Sequence, residues 1–247
     1  MARVEGGKLA GGYDAGRDLT AESDRTWDRV IARFAPVAGP AVDVGCGTGR
    51  FSALLARCLG VGVVGVEPVA EMLEQTRRKP WPPRAGFVRG AAEAMPLRDA
   101  SCGLAWLSNV IHHFDDLDAS AREVRRVVCA GGPVLVCSWF PGHTPPASLW
   151  RWFPGGLAIA ETFPTLEQTC TVFQRAGFER DDVQRVEQVV AIDADDYVRR
   201  VRTRADSTLA GLPDEEFASG LAQLERDAAA GRIREPVVGP LDLVVLK

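Results

Sequence analysis

The run Ala41-Val42-Asp43-Val44-Gly45-Cys46-Gly47-Thr48-Gly49 constrains this chain more than any other stretch. A short apolar strand stops at a turn built on glycines at alternate positions, and Phe51–Leu59 follows with helical periodicity. Glycine permits positive φ and lets a ligand approach the backbone closely. The helix that follows offers unpaired N–H groups at its start. Glu67 supplies a second constraint. It closes the next apolar run, Val61–Pro68, twenty-two residues after Gly45. An acidic side chain at that place in a βαβ unit can accept both hydroxyls of a ribose. The turn departs from the dinucleotide fingerprint, whose third glycine is replaced here by Arg50, and this argues against a nicotinamide oxidoreductase.

The rest of the chain repeats the alternation. Helical spacing covers 22–34, 71–79, 116–129 and 165–176, and strand-like runs cover 85–90, 101–111, 131–139, 183–192 and 240–247. The Val61–Pro68 run is apolar throughout, as a central parallel strand buried on both faces requires. The pattern predicts an α/β, Rossmann-like fold: a seven-stranded, mostly parallel sheet with helices on both faces and a helical insertion before the last strand. Residues 1–35 read as an N-terminal arm and helix, Gly-rich over its first twenty positions. Residues 36–247 read as the main domain, with a loop insertion over 141–164 and a helical, substrate-side insertion over 194–236. The latter divides near Gly211–Glu215, where Pro213 suits a helix start.

Composition sets bounds on partners and location. The formal charge is −4 over 247 residues, so no general attraction to nucleic acid or anionic lipid is expected. No apolar stretch is long enough to span a bilayer, and the first thirty residues lack the apolar centre of a secretory signal. The six cysteines form no CxxC pair and are expected to be reduced thiols of a cytoplasmic protein. No metal site is expected, because the adjacent His112 and His113 lack the one-face spacing of a helical zinc site and no cysteine framework accompanies them.

Four segments together resemble the class I S-adenosylmethionine-dependent methyltransferases, in particular the small-molecule group that includes the quinone-biosynthesis enzymes. They are Asp43–Gly49, Glu67-Pro68 with Glu71–Leu73, Gly90–Leu97, and Asn109–Phe114. The resemblance implies S-adenosyl-L-methionine as cofactor, with Gly45 and Gly47 beside its methionine portion and Asp43 near its ammonium. Glu67 would hold the ribose, Pro68 and Met72 would touch the adenine faces, and Ala92 would meet the adenine edge. Asn109 would lie near the methionine moiety, and Tyr13, with Arg17, would fold over the cofactor, a merely docked arm being the alternative. Ala91 departs from the family, which often has Asp there to receive the adenine amino group; Glu93 is the nearby carboxylate that could compensate.

The implied activity is methyl transfer to a small-molecule acceptor in a biosynthetic pathway. Two other readings remain open: a non-catalytic cofactor-binding or scaffolding protein, and an RNA or protein methyltransferase. His113 and then His112 are the candidates for a catalytic base, with packing at the strand end as the alternative and one of the two expected to face the pocket. Trp139, Phe140, His143, Trp150, Trp152 and Phe153 are candidates to line a cavity for a flat or apolar acceptor, at least two of them being expected to do so, with packing of the later helices against the sheet as the alternative. Arg199, Arg200, Arg202 and Arg204 read first as a solvated helix face, with binding of an anionic substrate or nucleic acid as the alternative. Oligomeric state and the acceptor atom are left open by the sequence.

Overall fold

A computed structural model describes residues 12–145 and 148–247. Seven strands form one sheet in the order β3-β2-β1-β4-β5-β7-β6. They are β1 (Ala41–Val44), β2 (Val63–Glu67), β3 (Ala85–Arg89), β4 (Leu104–Ser108), β5 (Val134–Ser138), β6 (Arg180–Ala191) and β7 (Val237–Leu246). The first five pair in parallel. The last two are antiparallel, with β7 inserted between β5 and β6. The order reverses next to β1, so the carboxyl ends of β1 and β4 open the crevice where sheets of this kind bind ligands.

The period-two alternation of the strands sorts the side chains onto two faces. Val42, Val44, Ala105, Leu107, Val134, Val136 and Val244 join one core with the helices Leu117–Val127 and Leu166–Arg175. Ala41, Leu104, Trp106, Leu135, Cys137, Leu243 and Val245 face the other way, against Trp27 and Ile31 of the helix Ala21–Ile31 and Phe51, Leu54 and Leu55 of the helix Arg50–Leu59. Trp27, Phe51 and Trp106 meet ring to ring at 5.0–5.7 Å between centroids.

Three local differences from the sequence expectations matter for function. The expected fourth strand over 101–111 is shorter, because Asn109 takes a positive φ of 50° and turns the chain out of the sheet. Asparagine tolerates that conformation better than most residues. Ile111–His113 then form a 3₁₀ turn, so both histidines project from a turn beyond the strand. Within the expected Gly-rich arm, Tyr13–Arg17 is a short helix; residues 1–11 lie outside the described residues. The helical insertion has one more break than expected. It comprises Ala194–Arg202, Ser207–Ala210 and Asp214–Ala229. The additional break falls where Arg204 has a φ of 53° and Asp206 caps the helix that follows, accepting the N–H of Thr208.

The insertions build a cap with its own apolar core. Trp152 and Phe153 pack with Tyr197, Val198, Val201, Leu209, Leu212 and Leu224. Gly220 makes this possible, since a Cβ there would lie 2.5 Å from the Trp152 carbonyl and 2.6 Å from the Phe153 ring. Gly220→Ala is therefore expected to lower stability in urea denaturation. The helix-propensity gain of about 1 kcal/mol is outweighed by a backbone clash, overpacking costing typically about 1–3 kcal/mol.

Candidate active site

The glycine turn at the end of β1 is shaped for a ligand on one side and for protein on the other. Gly45 has φ +68°, and a Cβ there would lie 2.2 Å from Val110. Gly47 has φ +56° with open space before it, so it forms a cradle that a side chain would fill. The Gly47 N–H donates to Glu67 Oε2 at 2.9 Å, and the Val69 N–H donates to Oε1 at 2.9 Å. Each carboxylate oxygen keeps acceptor capacity beyond that single bond. Burial raises the Glu67 pKa, opposed by the Val69 and Gly47 N–H bonds.

Asp43, expected near the ammonium directly or through water, does not itself line the cavity. Its side chain lies on the helix-covered face of β1, buried, with Oδ2 accepting from Ser52 Oγ at 2.6 Å. Burial pushes its pKa up to about 7; the Ser52 bond opposes this and the neighbouring Glu67 charge adds to it. Asp43 therefore acts on the cavity from behind the turn. Two buried carboxylates whose negative form is penalised suit a cationic ligand in front of them, because a nearby positive charge relieves that penalty.

A cavity of about 320 Å³ runs from this turn along the ends of β1, β4 and β5, within the size range of small-molecule sites. Tyr13, Gly45, Gly47, Glu67, Pro68, Met72, Ala92 and Asn109 all line it, so the structure brings together every residue marked for the cofactor except Asp43. Glu93 is also in the wall, with Oε1 accepting the Asp115 N–H at 2.9 Å. Of the six candidate acceptor residues, Trp139 and Trp150 line the cavity, in edge contact at 4.6 Å. Phe140, Trp152 and Phe153 are core residues instead, and His143 binds the buried Asp242 at 2.8 Å.

Both histidines line the cavity, whereas one was expected to. They differ in setting. His112 stacks on Phe163 at 4.0 Å, nearly parallel. Its Nε2 lies 3.3 Å from Ser207 Oγ, and its Nδ1 is buried with no hydrogen-bond partner among the described residues. Burial first, then His113 and Arg17, push its pKa well below the ordinary histidine value, so the ring is neutral. His113 is exposed at the cavity mouth. Desolvation by the surrounding walls still lowers its pKa, while the Asp206 carboxylate acts in the opposite direction.

The N-terminal helix Tyr13–Arg17 closes one side. Asp14 accepts Thr48 Oγ1 at 2.5 Å and pairs with Lys79 at 2.7 Å. Arg17 pairs with Asp206 at 2.8 Å, and the Arg50 guanidinium donates to the Arg17 carbonyl. The basic run is mostly paired: Arg199 and Arg200 with Asp196, Arg202 with Glu225 and Arg204 with Asp214. Arg200 also enters the cavity wall. Phe163, Gln188, Tyr197, Asp206 and Ser207 were not marked in the sequence. They come from the two insertions and from β6, and no local motif sets them beside the glycine turn.

Comparison with known proteins agrees with this geometry. Residues 42–136 match the model of the methyltransferase domain family. The demethylmenaquinone methyltransferase of Roseiflexus castenholzii is 34% identical over 131 residues, covering 51% of this chain and 55% of that protein. The chain thus spans about half the length of that curated relative. Among solved structures, a proposed methyltransferase from an antibiotic biosynthesis pathway of Anabaena variabilis superposes with a TM-score of 0.67 at 22% identity, covering 91% of this chain and 99% of that one. The [4+2]-cyclase SpnF superposes with a TM-score of 0.63 at 19% identity, covering 98% and 90%. At such identities the structural likeness shows the fold. Over residues 42–136 the chain is thus similar to the methyltransferase domain family, and the relatives it resembles include enzymes named for quinone biosynthesis and for methylation of malonyl-[acyl-carrier protein].

The buried Asp43 charge gives a test in the ligand-free protein. A carboxyl raised to about 7 in the folded state and titrating near 4 when unfolded is penalised at pH values above both. Asp43→Asn should then raise the denaturation midpoint at about pH 8.5, and its advantage should shrink as pH falls through 7 and the native carboxyl takes up its proton. An advantage independent of pH would contradict the assignment.

Proposed function

We propose that this protein binds S-adenosyl-L-methionine across the glycine turn and transfers its methyl group to a small, flat or apolar acceptor in a biosynthetic pathway. The observation that carries the reading is the Glu67 carboxylate, held beside the open Gly47 cradle and retaining acceptor capacity on both oxygens inside one continuous cavity. Glu67 would accept the ribose hydroxyls, Pro68 and Met72 would flank the adenine, and Ala92 would meet its edge. Gly45, Gly47, Asn109 and Tyr13 would surround the methionine portion, with Asp43 contributing field from behind the turn. When bound, the cofactor supplies an electrophilic methyl carbon on a sulfonium.

The protein's own part is alignment, exclusion of water and removal of a proton. Holding two reactants in line can contribute up to roughly 7–11 kcal/mol in favourable intramolecular systems. Trp139, Trp150, Leu149, Val190, Pro240 and Leu241 wall the far part of the cavity and suit an apolar ring system. The acceptor atom gives its electron pair to the methyl carbon. The proton it loses goes to His113, whose ring reaches the cavity while keeping solvent access. Neutral His112, fixed by Phe163 and Ser207, orients the acceptor through a hydrogen bond.

A cytoplasmic location suits this reading. All six cysteines are free thiols, as a reducing compartment keeps them, and among the described residues no helix is long and apolar enough to cross a membrane. Methyl transfer is not dictated by the fold alone, since a cyclase shares it and one fold hosts several chemistries. A cofactor-holding role without transfer is therefore the second reading.

Thermal-shift and calorimetric titrations with S-adenosylmethionine, S-adenosylhomocysteine and NAD separate the first possibilities. The two sulfur nucleosides should stabilise the protein and NAD should not; equal stabilisation by NAD would contradict the reading. Glu67→Gln should weaken binding of both sulfur nucleosides at least about tenfold, the loss of a charge-assisted bond being worth roughly 1.5–3 kcal/mol. Gly47→Val should abolish binding by filling the cradle. Transfer to an acceptor from a panel of hydroxylated aromatic and quinol compounds distinguishes enzyme from scaffold. His113→Ala should lower the rate at saturating acceptor more than it weakens cofactor binding.

A further inference from the structure

The far part of the cavity is walled mostly by apolar groups, and one amide there is held with its donors unused. Gln188 lies on β6 opposite Gly239 of β7, and both residues line the cavity. Strand alternation places the Gln188 side chain on the face of Val186, two residues away. Val186 and its cross-strand partner Leu241 pack in the core around Trp27, and Leu241 also lines the cavity. That face of the ribbon therefore runs from core to cavity wall, with Gln188 on it. Gly239, having no side chain, leaves space beside the amide.

The amide has a fixed direction. Gln188 Oε1 accepts from Trp27 Nε1 at 2.9 Å, and Trp27 is fully buried. An indole N–H can only donate, so it takes the amide oxygen and turns the NH2 group the other way. Trp27 is not in the cavity wall and Gln188 is, so the NH2 end is the one presented to the cavity. Nε2 has no hydrogen-bond partner among the described residues. The backbone beside it is held as well, since Thr20 Oγ1 and Ser23 Oγ donate to the Val189 carbonyl at 2.8 and 2.7 Å. Two other polar side chains of this wall are already engaged. Ser138 Oγ donates to the Trp139 carbonyl at 3.2 Å. Arg200 is tied through Nε to Asp196 at 3.0 Å and through Nη1 to the Asp18 carbonyl at 2.7 Å.

We infer that Gln188 is a specificity-determining residue whose Nε2 donates to a carbonyl oxygen of the methyl acceptor, which makes the acceptor an aromatic carbonyl compound. This deepens the methyl-transfer reading and rests on it. The carbonyl lies away from the atom that is methylated, because β6 is separated from β4, which leads to the histidine turn, by β5 and β7. Apolar walls alone leave a flat ring system free to turn in its plane. A donor set in advance at one end fixes its direction, as the few polar groups of a small-molecule site generally do. It also selects against analogues lacking the oxygen, because they bury the amide donors unpaired.

Calorimetry on the full chain tests this, with S-adenosylhomocysteine titrated first and the probes added to the saturated protein. The probes are β-acetylnaphthalene and β-isopropenylnaphthalene, which share one shape and differ by a methylene in place of the carbonyl oxygen. The wild type should bind the ketone at least about fivefold more tightly. Gln188→Leu keeps the bulk and removes the donors, so the preference should vanish or reverse. Gln188→Glu, at about pH 8 where a glutamate is ionised, keeps an oxygen for Trp27 and also removes the donors. It should lose the preference too. If Gln188 served only to anchor Trp27, Gln188→Glu would keep the wild-type preference, and that result overturns the inference. Equal binding of the two probes by the wild type, or binding of neither, overturns it as well. The first titration keeps the two readings apart: absence of S-adenosylhomocysteine binding removes the methyl-transfer reading, whereas binding without a ketone preference removes only the role of Gln188.

Discussion

The site depends on one carboxylate held by two backbone N–H groups. Glu67 closes β2, and its oxygens are bridged by Gly47 from the neighbouring turn and Val69 from the start of the next helix. The bridge fixes the glycine turn against the tip of β2 and sets the distance between the two places where a nucleoside would be gripped. It also explains why the turn must be glycine in this form. Gly45 packs where a Cβ would strike Val110, and Gly47 leaves the space in front of it open. Burying Glu67 costs free energy, and the two N–H bonds offset part of that cost.

From this bridge the rest of the site follows in layers. The parallel strands present their carboxyl ends to one crevice, and the positive φ of Asn109 swings the histidine pair out over it. The two insertions then build a separate apolar core around Phe153, which carries Asp206, Ser207 and Tyr197 to the opposite wall. The N-terminal helix is the last layer, pinned at one end by Asp14 to Thr48 and Lys79 and at the other by Arg17 to Asp206. Polar pairs rather than a large apolar surface hold that helix: none of its five residues is buried.

The sheet was legible in the sequence because its signal is periodic and local. Seven apolar runs separated by helical spacing specify a parallel α/β architecture, and Glu67 together with Gly45 and Gly47 marks the end of the sheet where the cavity lies. What could not be read were relations between distant segments. Asp43 carries the family's motif, yet strand alternation points it to the side covered by Ser52 and away from the cavity. Phe140, Trp152 and Phe153 look like pocket aromatics by composition, but Phe140 is taken into the core of the sheet and Trp152 and Phe153 into the core of the cap. His112 and His113 are adjacent in sequence and were expected to diverge as on a strand; the 3₁₀ turn brings both to the cavity. Asp206 had only the weak mark of a helix-capping residue before Ser207.

The central claim is that Glu67 grips the sugar of a nucleoside whose sulfur end lies over the Gly45–Gly47 turn. An experimental structure with S-adenosylhomocysteine bound tests it most directly. The account predicts both ribose hydroxyls within hydrogen-bonding distance of the Glu67 carboxylate, the adenine between Pro68 and Met72, and the sulfur pointing toward the wall formed by Asn109 and the two histidines. A nucleoside bound in another orientation, with Glu67 still engaged only by Gly47 and Val69, would contradict it.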